Sequence, residues 1–314
     1  MIIKQLKQPF NYFSTFSPSP SPSKFSAQFR APLNLSLFSS TTLLCVSNNS
    51  SKSSSVASFK RFSAENDNIH EASSQSFSAL SPDTPWDSGS VWSTMAFYMF
   101  TLHIPLSFGW LSVVAELLQE PILDPQTEAI SLLLAQTLEF IATLLLLKYT
   151  AKPKYQFMNL FKANELSGER NWLFASTMGL TFLFSLVVLT SFFVDRVLEP
   201  KVISNPILKE MLVSSNIARA ACALVYCIIT PLLEETVYRC FLLRSLSSTM
   251  KWQHAVLISS AIFSMAHLSG ENFLQLLIIG CVLGCSYCWT GNLGSSFLIH
   301  SFYNAMTLVI TYLS

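Results

Sequence analysis

Polar and apolar positions in this chain alternate on the scale of whole membrane crossings rather than single helix turns. Unbroken or nearly unbroken apolar stretches run over 92–117, 129–149, 172–194, 216–247, 253–268, 272–289 and 294–313. The hydrocarbon core of a bilayer is about 30 Å thick and takes roughly 20 residues of apolar helix. The pattern therefore predicts an all-α, polytopic transmembrane bundle of about seven to eight helices. Only LSGEN (268–272) separates the fifth stretch from the sixth, and both are short, so these two are expected to form a hairpin that does not cross fully. Pro105 and Pro231 lack a backbone N–H inside apolar stretches and mark expected kinks.

Composition agrees with a membrane setting. Charged residues make up 12% of the chain, about half the roughly 25% usual in soluble domains, the apolar share is 51% and mean hydropathy is +0.43. The net charge of +1 and the absence of a basic patch interleaved with aromatics speak against a nucleic-acid partner. Residues 1–64 differ from the rest: they contain no Asp or Glu and carry serine runs such as SPSPSPS and SSKSSS. That composition reads as an organelle transit peptide, and with only Arg30 and Arg61 as arginines a plastid is expected over a mitochondrion. Residues 65–90 are expected to be a disordered linker and 91–314 the transmembrane domain, multi-pass in a chloroplast membrane, thylakoid or inner envelope. Lys148, Lys152, Lys154, Lys162 and Arg170 crowd one loop and Arg244 and Lys251 another, whereas the loop at 116–128 holds Glu116, Glu120, Asp124 and Glu128 and no basic residue. The positive-inside tendency places the two basic loops on the same, stromal face.

Six of the seven cysteines lie in apolar runs and read as small hydrophobes rather than a disulfide framework. Cys281, Cys285 and Cys288 share a helical face, where packing is favoured over metal or redox chemistry. Gly280 and Gly284 form a GxxxG pair that allows close internal helix contact.

Against this background PLLEETVYRC (231–240) places Glu234, Glu235 and Arg239 inside an apolar stretch. An ionisable group at the centre of a bilayer costs about 2.5–3.5 kcal/mol on insertion scales, so three together require a reason. Glu235 and Arg239 stand i, i+4, the offset of a helix ion pair. Glu234, about 100° away on the helix, needs another partner. FSMAH puts Phe263 and His267 one turn apart in the fifth stretch, and HSFYN does the same for His300 and Asn304 in the last. Counting from the turn at 248–251 brings Glu234 and His267 to similar depth, but His300 only with tilted or incompletely crossing helices. Glu, two His and Asn suit amide hydrolysis: a carboxylate in an apolar cavity is a strengthened base for water, an imidazole shares that water, and a second imidazole with a carboxamide stabilises the oxyanion. Glu234, His267 and His300 could instead form a three-ligand metal site, zinc being the candidate ion.

EETVYR, FSMAH and HSFYN, in that order on successive apolar helices, resemble the three motifs of the CPBP family of intramembrane proteases, which includes the CaaX proteases and bacteriocin-processing enzymes. The resemblance covers about residues 170–314. It implies a CaaX-protease-like fold and an intramembrane endopeptidase in which Glu234 and His267 hold the nucleophilic water, His300 and Asn304 bind the oxyanion, and Glu235 with Arg239 forms the supporting ion pair. Family members have been described both as metalloproteases and as glutamate proteases. The family often has Gly after the Arg, where this chain has Cys240. With its transit-like front end the chain looks like plant plastid members, some of which act as non-proteolytic scaffolds that bind and stabilise or regulate plastid membrane enzymes, for example of chlorophyll metabolism. The implied partners are the lipid bilayer and either a protein or peptide substrate or a membrane enzyme. A transporter ranks third, because no inverted repeat is visible.

Overall fold

A computed structural model describes residues 77–81, 83–153, 155, 170–197, 206–270 and 272–314. The expected transit peptide, 1–64, and the start of the expected linker lie outside the described residues. Eight helices and no strand occur among those described: α1 (Ser88–Leu118), α2 (Pro125–Thr150), α3 (Trp172–Val197), α4 (Pro206–Ser214), α5 (Asn216–Ser247), α6 (Trp252–Ala266), α7 (Phe273–Thr290) and α8 (Leu293–Leu313). The seven apolar stretches each fall on a helix, and α4 is the eighth. Helices α1, α2, α5, α7 and α8 are long and apolar enough to cross a bilayer. Side chains such as Leu134, Leu138 and Ile141 on α2, Phe174, Met178 and Phe182 on α3, and Phe302 and Val309 on α8 face outward. Apolar surface on this scale is what a lipid solvent accommodates. The chain is a multi-pass membrane protein.

Local chemistry sets the helix ends. Asp124 caps α2, accepting from the backbone N–H groups of Gln126 at 3.1 Å and Thr127 at 3.0 Å. Ser215 caps α5 through the N–H of Ala218 at 3.0 Å, and Asn292 caps α8 through Gly294 at 2.8 Å. Gly291, in the left-handed region at φ 62°, ends α7. Each cap satisfies a terminal N–H or turns the chain where no further intrahelical bond exists.

Where kinks were expected at prolines, the helices widen. Helix α1 runs in an i, i+5 hydrogen-bond register over Tyr98–His103 and Pro105–Gly109, on either side of Ile104. Helix α5 does so over Val225–Ile229 and Thr236–Leu243, with one ordinary segment, Thr230–Glu235, between them. Such π turns are uncommon and concentrate at functional sites. Here one of them begins immediately after the two glutamates.

The main core joins the second half of α5 to α1, α6 and α7, with Leu233, Tyr238, Phe241 and Phe263 at its centre. Cys240, standing where the family pattern has glycine, is buried in this core. A smaller core binds α2, α4 and the start of α5 around Met211 and Ala218. Helices α6 and α7 pack closely: a Cβ on Gly280 would lie 2.9 Å from that of Ser260, and one on Gly284 would lie 3.1 Å from a Val256 methyl. The GxxxG pair thus packs within the chain.

Within the stretch expected to be linker, the described residues 77–81 and 83–87 lie on the bundle. Phe77 stacks on Trp252 at 4.4 Å and the buried Trp86 meets Phe241 edge-on at 4.8 Å. The Ala79 N–H donates to the Cys288 carbonyl at 2.8 Å, and Arg170 donates to the carbonyls of Phe77 and Trp289. The α7–α8 turn is thereby covered, and Thr290, Ser295 and Ser296 beneath it are buried. Helix α8 accordingly starts inside the protein, and His300 is buried with it. Helix α6, at 15 residues, spans only about 22 Å, so its C-terminal end also lies within the bundle.

Candidate active site

Three helices bring their polar side chains together, and a fourth adds backbone. Glu234 and Glu235 come from the ordinary turn of α5, Arg239 from the π segment that follows, His267 from the C-terminal cap of α6, and His300 and Asn304 from α8. Gly280 on α7 contributes a backbone carbonyl.

Glu235 has no exposed surface and bridges two partners. Its Oε1 is 2.9 Å from His300 Nδ1, and its Oε2 is 3.3 Å from Arg239 Nε. The Arg239 guanidinium lies 4.7 Å above the Phe263 ring and donates from Nη2 to the Gly280 carbonyl at 3.4 Å. Its charge is therefore met by a carboxylate, an aromatic face and a carbonyl, which offsets the desolvation of a side chain only 1% exposed. Phe263 also contacts both histidine rings, at 4.7 Å from His267 and 6.1 Å from His300.

Glu234 is 4% exposed and sits between the two rings. Its Oε1 is 3.7 Å from His267 Nε2 and its Oε2 is 3.6 Å from His300 Nε2. Both separations exceed a hydrogen bond, and the buried Oε2 has no donor. The rings are held from behind: His267 Nδ1 donates to the Phe263 carbonyl at 2.8 Å and His300 Nδ1 donates to Glu235. Because these partners only accept, both Nδ1 atoms carry hydrogen and both Nε2 atoms face Glu234. A gap of this length between polar atoms suits a bridging water.

Asn304 is turned differently from the other groups. Its Nδ2 donates to the Tyr226 carbonyl at 2.9 Å. In the i, i+5 register of Val225–Ile229 the N–H that serves Tyr226 belongs to residue 231, a proline without one. Asn304 supplies the missing donor and ties α8 to α5, leaving its second amide hydrogen for other use.

Among the described residues no group of three or more His, Cys, Asp or Glu side chains is gathered so as to hold a metal ion. Glu234 divides its two oxygens between the two rings instead of converging with them on one point.

Two residues of this neighbourhood escaped the motif search: His103 on α1 and Glu139 on α2, whose contact is 2.8 Å. Each is an ionisable side chain in an apolar stretch, the same signal that singled out Glu234.

Comparison with known families bears on the segment that carries this geometry. Residues 216–306, from the start of α5 into α8, match the family described as Rce1-like, type II CAAX prenyl endopeptidase Rce1-like. This segment is a CPBP-family domain. No curated protein and no solved structure matches the chain. The CPBP domain holds Glu234, Glu235, Arg239, His267, His300 and Asn304, and the family it matches is one of membrane proteases. Helices α1 and α2 precede it.

Proposed function

We propose that this protein hydrolyses a peptide bond in or next to the bilayer, using a water activated by Glu234 and His267. The observation that carries this reading is the buried Glu234 carboxylate, its Oε2 without a donor, facing Nε2 of His267 at 3.7 Å and of His300 at 3.6 Å. A water seated there can give one hydrogen to Glu234 and the other to the His267 lone pair. Attack of its oxygen on the scissile carbonyl carbon delivers a proton to Glu234 and leaves an oxyanion.

His300 is the donor suited to that oxyanion. Carboxylates face both of its nitrogens, Glu235 at Nδ1 and Glu234 at Nε2, an arrangement for a ring that donates from both sides. Asn304 has one amide hydrogen left to join it. The proton held by Glu234 then passes to the leaving nitrogen as the C–N bond breaks, giving a carboxylic acid and an amine, between which the acid proton then moves to leave a carboxylate and an ammonium. Glu235 and Arg239 orient His300 and touch no reacting atom. The substrate on this reading is a protein or peptide that reaches the bundle from the membrane.

The plastid setting belongs to the same proposal and is supported by the acid-free, serine-rich residues 1–64. A fusion of those residues to a fluorescent protein, followed in plant cells, tests it; retention in the cytosol refutes it.

The function is tested by complementing a loss-of-function line with wild type, Glu234→Gln and His267→Ala at matched protein abundance. Loss of rescue by both, with uncleaved proteins gathering in the membrane proteome, is the expected result. Rescue by both at normal abundance instead assigns the protein to the non-proteolytic class, a scaffold for membrane enzymes whose polar cluster only stiffens the bundle.

A further inference from the structure

Outside the CPBP domain, α1 and α2 build a second polar cluster around Glu139, which has no exposed surface. Four donors converge on its carboxylate. Tyr98 Oη at 3.0 Å and His103 Nδ1 at 2.8 Å reach Oε1, and Ser107 Oγ at 2.9 Å and Gln136 Nε2 at 3.4 Å reach Oε2. The number of donors identifies Glu139 as a carboxylate and fixes hydrogen on His103 Nδ1. The cluster is not a nucleophilic triad: Ser107 and Glu139 compete for the same ring nitrogen, so His103 has no free base for the serine hydroxyl.

The other face of His103 is turned to the proposed site. Its Nε2 is 3.4 Å from the carbonyl oxygen of Ala266, the last residue of α6. That carbonyl belongs to the peptide whose nitrogen is that of His267. The final carbonyls of a helix have no intrahelical donor, and with Ala266 buried this one needs a donor from within the protein. The chain leaves the helix abruptly here, with Leu268 in the left-handed region at φ 47°. The carbonyl accepts, so the ring donates from Nε2 as well as from Nδ1. A donor of that kind at a helix C-terminus also complements the helix dipole. From the same cluster Gln136 Oε1 accepts from Thr230 Oγ1 at 3.2 Å, one turn before Glu234 on α5.

We propose that His103, held by Glu139, is the C-terminal cap of α6 and a positioning residue for His267, so that α1 and α2 are part of the site. The inference rests on the hydrolytic reading for its meaning, but its test does not require turnover. Full-length protein carrying ¹⁵N-labelled histidine rings is placed in phosphatidylcholine nanodiscs; the chain has five histidines, and single substitutions assign their signals. In wild type His103 shows hydrogen on both ring nitrogens and His267 shows one ordered ring with hydrogen on Nδ1.

His103→Phe keeps a ring and removes both donors. His103→Phe with Glu139→Gln removes the stranded charge as well and serves if the single variant fails to accumulate. The expected result is that His267 signals broaden or split in these variants while those of His300 do not move. His103→Lys, with hydrogens for both acceptors, restores the His267 signals. In the complementation assay the uncapped variant loses turnover by about tenfold to a hundredfold, the scale of an ångström misplacement of a catalytic group.

Unchanged His267 signals in the variant overturn the proposal. So do equal changes at His267 and His300, which mean general loosening of the bundle. The expected ring signals in a wild type that cleaves nothing leave the cap intact and refute the hydrolytic reading instead.

Discussion

Removing Arg239 separates what the buried ion pair does for stability from what it does for the site. In Arg239→Ala the Glu235 carboxylate keeps only His300 as a charged partner, in a place with no solvent. Breaking a buried pair by deleting one member costs about 3–5 kcal/mol, which is roughly a hundred- to a few-thousand-fold in the folding equilibrium. The lost contact with the Phe263 face at 4.7 Å adds about 0.5–2 kcal/mol. Two buried nitrogens of Arg239, Nε and Nη1, have no hydrogen-bond partner, so the pair as a whole is an imperfect bargain against apolar packing. Arg239→Met combined with Glu235→Gln therefore recovers most of the lost stability. Function does not recover, because a neutral amide at 235 no longer fixes His300 Nδ1 as a carboxylate does. The assay is thermal aggregation of detergent-solubilised protein and steady-state abundance, run beside complementation. A wild-type melting profile for Arg239→Ala refutes the account of the ion pair. A double variant as unstable as the single one shows that lost packing, not a stranded charge, is responsible.

Gly280→Val sets Cβ against the Ser260 backbone, 3.1 Å from its Cα, and is expected to cost about 1–3 kcal/mol or more by overpacking; abundance and thermal aggregation measure it. Asn304→Leu removes the donor to the Tyr226 carbonyl and leaves it unpaired, a loss of about 1–3 kcal/mol visible in the same assay, whereas Asn304→Gln is expected to recover part of it. The Thr127 side chain, with the backbone N–H groups of Thr127 and Gln126, holds the Asp124 carboxyl below its ordinary range. Its contribution to α2 is thus complete above the unfolded value of about 3.9 and is lost as pH falls through the lower folded value. Hydrogen exchange at Gln126 and Thr127 should accelerate only in strong acid, and Asp124→Asn should remove that pH dependence. Chelation of divalent ions is expected to leave wild-type rescue extracts as active as untreated ones; inactivation reversed by zinc alone contradicts the proposed activation of water by Glu234 and His267 alone.

How much of this was legible in the chain depended on what each residue's partner was. Lipid-facing helices must be apolar nearly all round, so their hydropathy marks them without any knowledge of packing. Helix α4 fell below that signal because Lys209 and Glu210 sit within its nine residues. Glu235 and Arg239 announced themselves through the i, i+4 offset, and His267 and His300 through polar spacing on neighbouring helices. His103 and Glu139 lie 36 positions apart, and neither has a charged partner one turn away on its own helix, so no spacing rule joins them. The orientation of Asn304 was hidden for another reason: the carbonyl that claims its amide is exposed by a proline and a change of helical register, neither of which a fixed periodicity represents. That the start of α8 is buried beneath residues 77–81 and Arg170 was hidden too, because those residues lie far away in the chain.

The widened stretch Thr236–Leu243 gives α5 an unusual sensitivity to chain length. On a regular helix each residue advances the face by about 100°, so one inserted or deleted residue swings one end against the other by that angle. In α5 the approach of Glu235 to Arg239 spans the change of register, and both glutamates meet His300 of α8 just before it. The spacing of these groups is stored in the number of residues as much as in their identity. Deleting one apolar residue from 240–243, each of which looks replaceable by itself, would turn the glutamates relative to the anchored end of the helix. Length variation in this segment is therefore expected to be purged from functional copies more strictly than conservative replacement of the same side chains.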